Sequence, residues 1–63
     1  MKYDGIRLKT LRQENGLTQK ELADLVNVNQ SQISRYEQNI MPEYPTLNKI
    51  AKVLNIKIED LFN

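Results

Sequence analysis

The sequence of 63 residues contains no cysteine and no histidine. Without cysteine, neither a disulfide nor a thiolate-bound metal can stabilise the fold. Without histidine, the chain lacks the most common general base and the most common zinc ligand. A chain this short forms one domain at most and buries roughly 60% of its unfolded surface. Stability must therefore come from helix packing, alone or together with dimerisation, and we expect no metal and no cofactor.

Long apolar runs and catalytic patterns are missing as well. No stretch is apolar enough to span a bilayer, and the first residues lack the apolar segment of a signal peptide. We therefore expect a soluble, cytoplasmic protein without membrane contact. There is no nucleophile next to a base and no glycine-rich phosphate loop, so no enzymatic activity and no small-molecule ligand are expected. The net charge of +1 is only weak evidence for an anionic partner.

What the sequence does contain is a series of short helix patterns. Apolar spacing and capping residues predict helices over residues 4–14, 18–26, 30–38, 46–54 and 58–62, with Thr46 as the cap of the fourth. Residues 39–45 contain two prolines and are predicted to be a loop. The expected fold class is all-α, a compact bundle of five short helices in a single domain, residues 1–63. The predicted core comprises Leu11, Leu22, Val26, Ile33, Leu47, Ile50, Leu54 and Leu61.

The second and third predicted helices form a connected pair. Residues 18–21 read Thr-Gln-Lys-Glu, a capping box that begins a helix. Asn27 can adopt a positive φ at low cost, which suits a tight turn, and Asn29 is a good N-cap for the next helix. Two short helices joined by such a turn indicate a helix-turn-helix.

The outward side of the third helix carries side chains that can hydrogen-bond to base edges. There is no acidic residue within residues 25–36. The amide of Gln30 can pair with adenine, and the guanidinium of Arg35 suits guanine or a phosphate. Ser31 and Ser34 share this side by the 100° helical step and can donate or accept. The alternative for the two serines is a small solvated surface, and the alternative for Gln30 is a helix-start residue that only solvates its own N-terminus.

Four further residues are candidates for contacts with DNA phosphates. Thr18 and Gln19 begin the second helix, where free N–H groups and a partial positive charge suit an anion. Asn29 has the same position at the third helix, although capping alone explains both Thr18 and Asn29. Gln38 lies at the end of the third helix and is expected to approach the DNA backbone.

The order of these features resembles a known family, the lambda-repressor and Cro-type helix-turn-helix domains of the XRE family. The resemblance implies a five-helix domain that usually binds DNA as a two-fold dimer and regulates transcription. It also implies that Gln19 contacts phosphate and braces Gln30, and that Arg12 and Glu37 form a structural ion pair. The matching segments are residues 5–12, 16–23, 28–37 and 42–62.

The sequence departs from the family pattern at three places. Asn27 and Asn39 each stand where a glycine is common, and the loop after Glu37 is about one residue shorter than usual. Asparagine is the best substitute for glycine at a positive φ, so both turns should form. The contacts of the shortened loop with DNA or a dimer partner are left open by this difference.

The sequence therefore predicts a sequence-specific, double-stranded-DNA-binding transcriptional regulator, expected to be a repressor. It would read a palindromic operator through the major groove as a homodimer, with half-sites roughly 34 Å apart. Leu25, Ile40 and Met41 are candidates for part of a dimer face. The competing hypothesis is an antitoxin-like or other protein-interaction module of the same helical architecture.

Overall fold

The computed structural model describes all of residues 1–63 and contains four α-helices and one short 3-10 turn. The helices are α1 (Gly5–Glu14), α2 (Gln19–Val26), α3 (Gln30–Glu37) and α4 (Tyr44–Leu54), and the 3-10 turn covers Ile58–Leu61. The all-α class and the helix-turn-helix of α2 and α3 are as predicted. No helix has both the length and the apolar character needed to cross a membrane.

The predicted fifth helix is a single 3-10 turn rather than an α-helix. Its backbone bonds join Asp60 N–H to the Lys57 carbonyl at 3.0 Å and Phe62 N–H to the Glu59 carbonyl at 3.0 Å, which is the i to i+3 pattern. Four residues are too few to add a second turn. The number of α-helices predicted from the sequence was therefore one too many.

The start of α4 was predicted three residues too late. The helix begins at Tyr44, with Glu43 at the N-cap position, so Thr46 lies inside the first turn and is not the cap. Pro45 was read as a loop residue, but proline is well tolerated in the first turn, where its missing N–H has no helical partner. Pro42, just before the helix, is fully buried.

Asparagines with a left-handed backbone end two helices and shape one connection. Asn27 after α2 and Asn55 after α4 have φ of 62° and 56°, and Asn39 after α3 has φ of 74°. All three lie in the left-handed region, which asparagine enters more easily than other residues with a side chain. The turns expected at Asn27 and Asn39 therefore form without glycine.

The core lies between α1, α2, α3, α4 and the 3-10 turn. Burial of each leucine or isoleucine side chain contributes about 1.5–3 kcal/mol, so this cluster accounts for much of the stability. Leu11, predicted to be in the core, is only partly buried at its edge, and Leu8 is fully buried instead. The central cluster consists of Leu8, Leu22, Ala23, Val26, Ile33, Leu47, Ile50, Leu54 and Leu61.

The two ends of the chain pair with each other. Lys2 N–H donates to the Asn63 carbonyl at 3.0 Å, Asn63 N–H returns a bond to Lys2 at 2.9 Å, and Asp4 N–H donates to Leu61 at 2.8 Å. We call this antiparallel pairing of residues 2–4 with residues 61–63 the terminal clasp. It centres on the bridge between Tyr3 and Phe62. The sequence has no strand pattern there and did not predict it.

Candidate nucleic-acid interface

Helix α3 has one side in the core and one side in solvent. Ile33 is fully buried and Glu37 is nearly so. On the opposite side, Ser31 and Arg35 are exposed, and Gln30 is exposed at the first position of the helix. Three of the four predicted base-reading residues are therefore accessible to solvent, and Ser34 is half-buried.

The exposed side chains of α3 differ in whether they are already hydrogen-bonded. Gln30, Ser31 and Arg35 make no side-chain hydrogen bond or ion pair within the protein. Ser34 is engaged, since its hydroxyl oxygen accepts from the Gln38 side-chain amide at 3.1 Å. The hydroxyl hydrogen of Ser34 remains free to donate. Hydrogen-bonding capacity is therefore concentrated at Gln30, Ser31 and Arg35.

The first turn of α2 has the capping geometry that the sequence predicts. The Thr18 hydroxyl oxygen accepts from Glu21 N–H at 3.0 Å, and the Glu21 carboxylate accepts from Thr18 N–H at 2.9 Å. Thr18 itself is exposed, and its hydroxyl hydrogen is unused. The start of α2 is therefore well ordered and open to solvent.

The first turn of α3 is capped by a side chain from within the helix. Asn29 N–H donates to the Gln32 side-chain oxygen at 2.9 Å. The Asn29 side chain faces the Gln32 N–H as the other half of a capping box, and the residue is exposed. Gln32 is therefore occupied in holding the helix start, whereas the side-chain nitrogen of Asn29 has no partner in the protein.

A buried ion pair ties the end of α3 to α1. The Arg12 Nε lies 2.5 Å from Glu37 Oε2, and the two side chains are only 8% and 5% exposed. Arg12 also donates to the Leu17 carbonyl at 2.6 Å, so it holds the turn between α1 and α2 as well. This ion pair is buried, which distinguishes it from an exposed ion pair, whose contribution to stability is small.

Gln19 joins the same network from the start of α2. Its side-chain nitrogen donates to Glu37 Oε1 at 3.0 Å, and the residue is half-buried. The Gln19 side chain is thus bonded to Glu37 and not to Gln30, the residue that the family resemblance has it brace. Glu37 thus accepts from side chains of both α1 and α2, and no buried side-chain polar atom is left without a partner.

The N-terminal segment holds the end of α3 from another direction, and sequence reasoning did not find this. The Tyr3 hydroxyl donates to the Tyr36 carbonyl at 2.8 Å, and Gly5 N–H donates to the Asn39 side-chain oxygen at 2.7 Å. Burial raises the pKa of Tyr3 well above its usual range, and the nearby Glu37 carboxylate raises it further, so the hydroxyl stays protonated. Of these residues, the sequence singled out only Asn39, and it did so for the positive φ of its backbone and not for its side chain.

Comparison with known proteins places this architecture in a family. A family model described as helix-turn-helix matches residues 8–61. The chain belongs to this helix-turn-helix family. The family is that of the XRE, Cro and C1-type DNA-binding domains, and it includes transcriptional regulators. The family that the sequence resembled is therefore confirmed.

Individual relatives of this helix-turn-helix chain include regulators and an antitoxin. It is 37% identical over 60 residues to the HTH-type transcriptional regulator PuuR of Escherichia coli K12. The aligned region covers 94% of this chain and 32% of PuuR. It is 43% identical over 47 residues to the antitoxin HipB of the same strain. The aligned region covers 75% of this chain and 51% of HipB. The chain thus spans about a third to a half of the length of these relatives.

The helical arrangement is similar to that of a solved structure. The crystal structure of SinR, a master regulator for biofilm formation, in complex with DNA superimposes with a TM-score of 0.85 and 33% sequence identity. The match covers 94% of this chain and 97% of that one. The similarity therefore extends over nearly the whole of both chains.

Proposed function

We propose that this chain is a sequence-specific DNA-binding transcriptional regulator, acting as a repressor, in which α3 enters the major groove. The observation that carries the proposal is the set of unbonded polar side chains on α3, namely Gln30, Ser31 and Arg35. They project from a helix whose opposite side is fixed in the core. The likeness to SinR, which was crystallised with DNA, supports the same assignment.

The spacing of the proposed base-contacting residues on α3 fits a short half-site. Gln30 and Arg35 are five residues apart, which is roughly 7.5 Å along a helix axis. Bases on one strand are about 3.4 Å apart, so this distance matches about two base steps. Gln30 would pair with adenine and Arg35 with guanine, while Ser31 and Ser34 contact the bases between. One copy therefore reads only a few base pairs.

Because one copy reads so little, we propose that two copies bind a palindromic operator. In helix-turn-helix dimers the half-sites lie about one DNA turn apart, roughly 34 Å. Leu25, Ile40 and Met41 are 58%, 54% and 51% exposed and are the apolar side chains that we assign to a dimer face. A contiguous exposed apolar patch marks a surface that becomes covered in an assembly, and Ile40 and Met41 are neighbours in the loop after α3.

Phosphate contacts would position α3 in the groove. We assign them to Thr18, Gln19, Asn29 and Gln38. The starts of α2 and α3 offer free N–H groups and the positive end of the helix dipole. Thr18 keeps its hydroxyl hydrogen, and the Gln19 nitrogen keeps a second hydrogen after bonding to Glu37.

A gel-shift series tests the base-reading role on a duplex selected from a random pool. Gln30→Ala should relax the preference at one base position and weaken binding by about 1–3 kcal/mol. Gln13→Ala, which truncates an exposed glutamine of α1, is the matched control and should leave the preference unchanged. Binding should also weaken as salt rises, because phosphate contacts release counterions. If Gln30→Ala and Arg35→Ala bind every site as the parent does, the assignment is wrong.

The second candidate is an antitoxin-like protein-interaction module, and the similarity to HipB favours it. In that case the exposed apolar side chains would contact another protein. Retention on heparin or random DNA at low salt separates the two candidates. A chain that is not retained, and that forms a stable complex with a second protein, would favour the interaction module.

A further inference from the structure

Tyr3 connects the two ends of the chain to the last turn of α3. Its backbone lies opposite Phe62 in the terminal clasp. Its ring packs edge-to-face on the Phe62 ring, with centroids 6.0 Å apart and an interplanar angle of 76°. Its hydroxyl donates to the Tyr36 carbonyl at 2.8 Å. One side chain therefore bridges the clasp and α3.

The bond from Tyr3 is the shorter of two at that carbonyl. Asn39 N–H also donates to Tyr36, but at 3.3 Å. Gly5 packs against the same carbonyl, and its own N–H is bonded to the Asn39 side chain at 2.7 Å. The first residues of the chain therefore hold the end of α3 through two hydrogen bonds and one close backbone contact.

We propose that Tyr3 is a positioning residue for DNA recognition, which fixes the angle of α3 by holding its last turn against the terminal clasp. The inference rests on the proposed function. Gln30 lies six residues before Tyr36, which is about 9 Å along the helix. A tilt of about 10° at the held end would move the start of α3 by about 1.6 Å, more than the roughly 0.5 Å that a functional constellation tolerates.

The test removes one oxygen atom from Tyr3 and measures selectivity. Tyr3→Phe keeps the ring on Phe62 and deletes only the hydroxyl. Tyr44→Phe deletes the same atom from a tyrosine that is 65% exposed and makes no side-chain hydrogen bond, so it is the matched control. The readout is the ratio of affinities for the selected duplex and for random DNA, measured where both variants are fully folded. We expect this ratio to fall about three- to tenfold in Tyr3→Phe and to stay unchanged in Tyr44→Phe.

Amide hydrogen exchange gives a second readout that does not depend on DNA. Asn39 and Ile40 N–H groups donate to Tyr36 and Arg35 across the end of α3. In Tyr3→Phe their exchange should become about three- to tenfold faster, while that of Leu22 in the core should not change. A uniform acceleration at all three sites would mean that Tyr3 only adds global stability, and it would overturn the inference.

The possible results separate this inference from the proposed function. A selective parent with equal selectivity in Tyr3→Phe and Tyr44→Phe would overturn the role of Tyr3 and leave the proposed function standing. A parent that does not distinguish the selected duplex from random DNA would overturn both. If Tyr3→Phe does not fold, Phe62→Leu decides, since it removes the ring against which Tyr3 packs and so loosens the tie between Tyr3 and the terminal clasp. It should show the same loss of selectivity, and unchanged selectivity would refute the inference.

Discussion

The two ends of α3 are held in opposite ways. At the C-terminal end, Glu37 is buried against Arg12 and Gln19, and the Tyr36 carbonyl is bonded to Tyr3. At the N-terminal end, the Gln30 side chain is exposed and makes no hydrogen bond within the protein. A recognition element needs this division, because readers must be free to contact a ligand while the helix that carries them stays fixed.

The largest effect should come from adding one carbon at the held end. A Cβ on Gly5 would lie 2.4 Å from the Tyr36 carbonyl oxygen and 2.7 Å from the Asn39 nitrogen, both backbone atoms that cannot turn aside. We expect Gly5→Ala to lower the free energy of unfolding by about 3 kcal/mol. Chemical denaturation measures this. Gly16→Ala is the control, with φ of 70° but open space around it, and should cost about 1 kcal/mol.

If Gly5→Ala proved as stable as Gly16→Ala, the end of α3 would have room to move. The contrast between its two ends would then be weaker than the structure indicates.

The next effect should come from breaking the buried ion pair. Glu37→Gln leaves the Arg12 guanidinium buried without a charged partner, and we expect a loss of about 2–3 kcal/mol in the free energy of unfolding. Asp24→Asn removes the carboxylate of the exposed Lys20–Asp24 pair, whose side chains are 68% and 66% exposed. That variant should change stability by less than about 0.5 kcal/mol. Equal losses in the two variants would show that burial does not strengthen the Glu37 pair.

The smallest effect should come from the N-terminal end of α3. Gln32→Ala removes the exposed hydrogen bond from Asn29 N–H to the Gln32 side chain, which is one half of the capping box at this end. We expect a loss of about 0.5 kcal/mol on thermal or chemical denaturation. The neighbouring Ser31→Ala removes an exposed hydroxyl without a partner and should leave stability unchanged. A loss from Gln32→Ala as large as that from Glu37→Gln would mean that both ends of α3 are held alike.

Local patterns predicted most of the fold. The capping box at Thr18, the left-handed turn at Asn27 and the apolar spacing around Ile33 act over a few residues, so the sequence displays them directly. The start of α4 was misplaced because Pro45 serves both loops and first helical turns. Leu11 and Leu8 are both apolar and three residues apart, so spacing alone did not decide which of them occupies the centre.

Contacts distant in sequence were harder to predict. Tyr3 and Tyr36 are separated by 33 residues, and nothing near Tyr3 indicates that its hydroxyl has a partner on α3. The close approach of Gly5 likewise depends on the folded position of α3, not on its own neighbours. The Arg12–Glu37 pair was anticipated only through the family resemblance. Spacing along the chain carries no information about such contacts until the helices are packed.

The claim that α3 is fixed at its C-terminal end and contacts DNA with its exposed side chains is tested most directly by NMR. The experiment is a titration with a DNA duplex selected from a random pool. We expect the largest shifts on the Gln30 side-chain amide and the Arg35 guanidinium, and little change at the backbone amides of Tyr36 and Glu37. Shifts concentrated on Leu25, Ile40 and Met41, with the exposed side chains of α3 unperturbed, would contradict the claim.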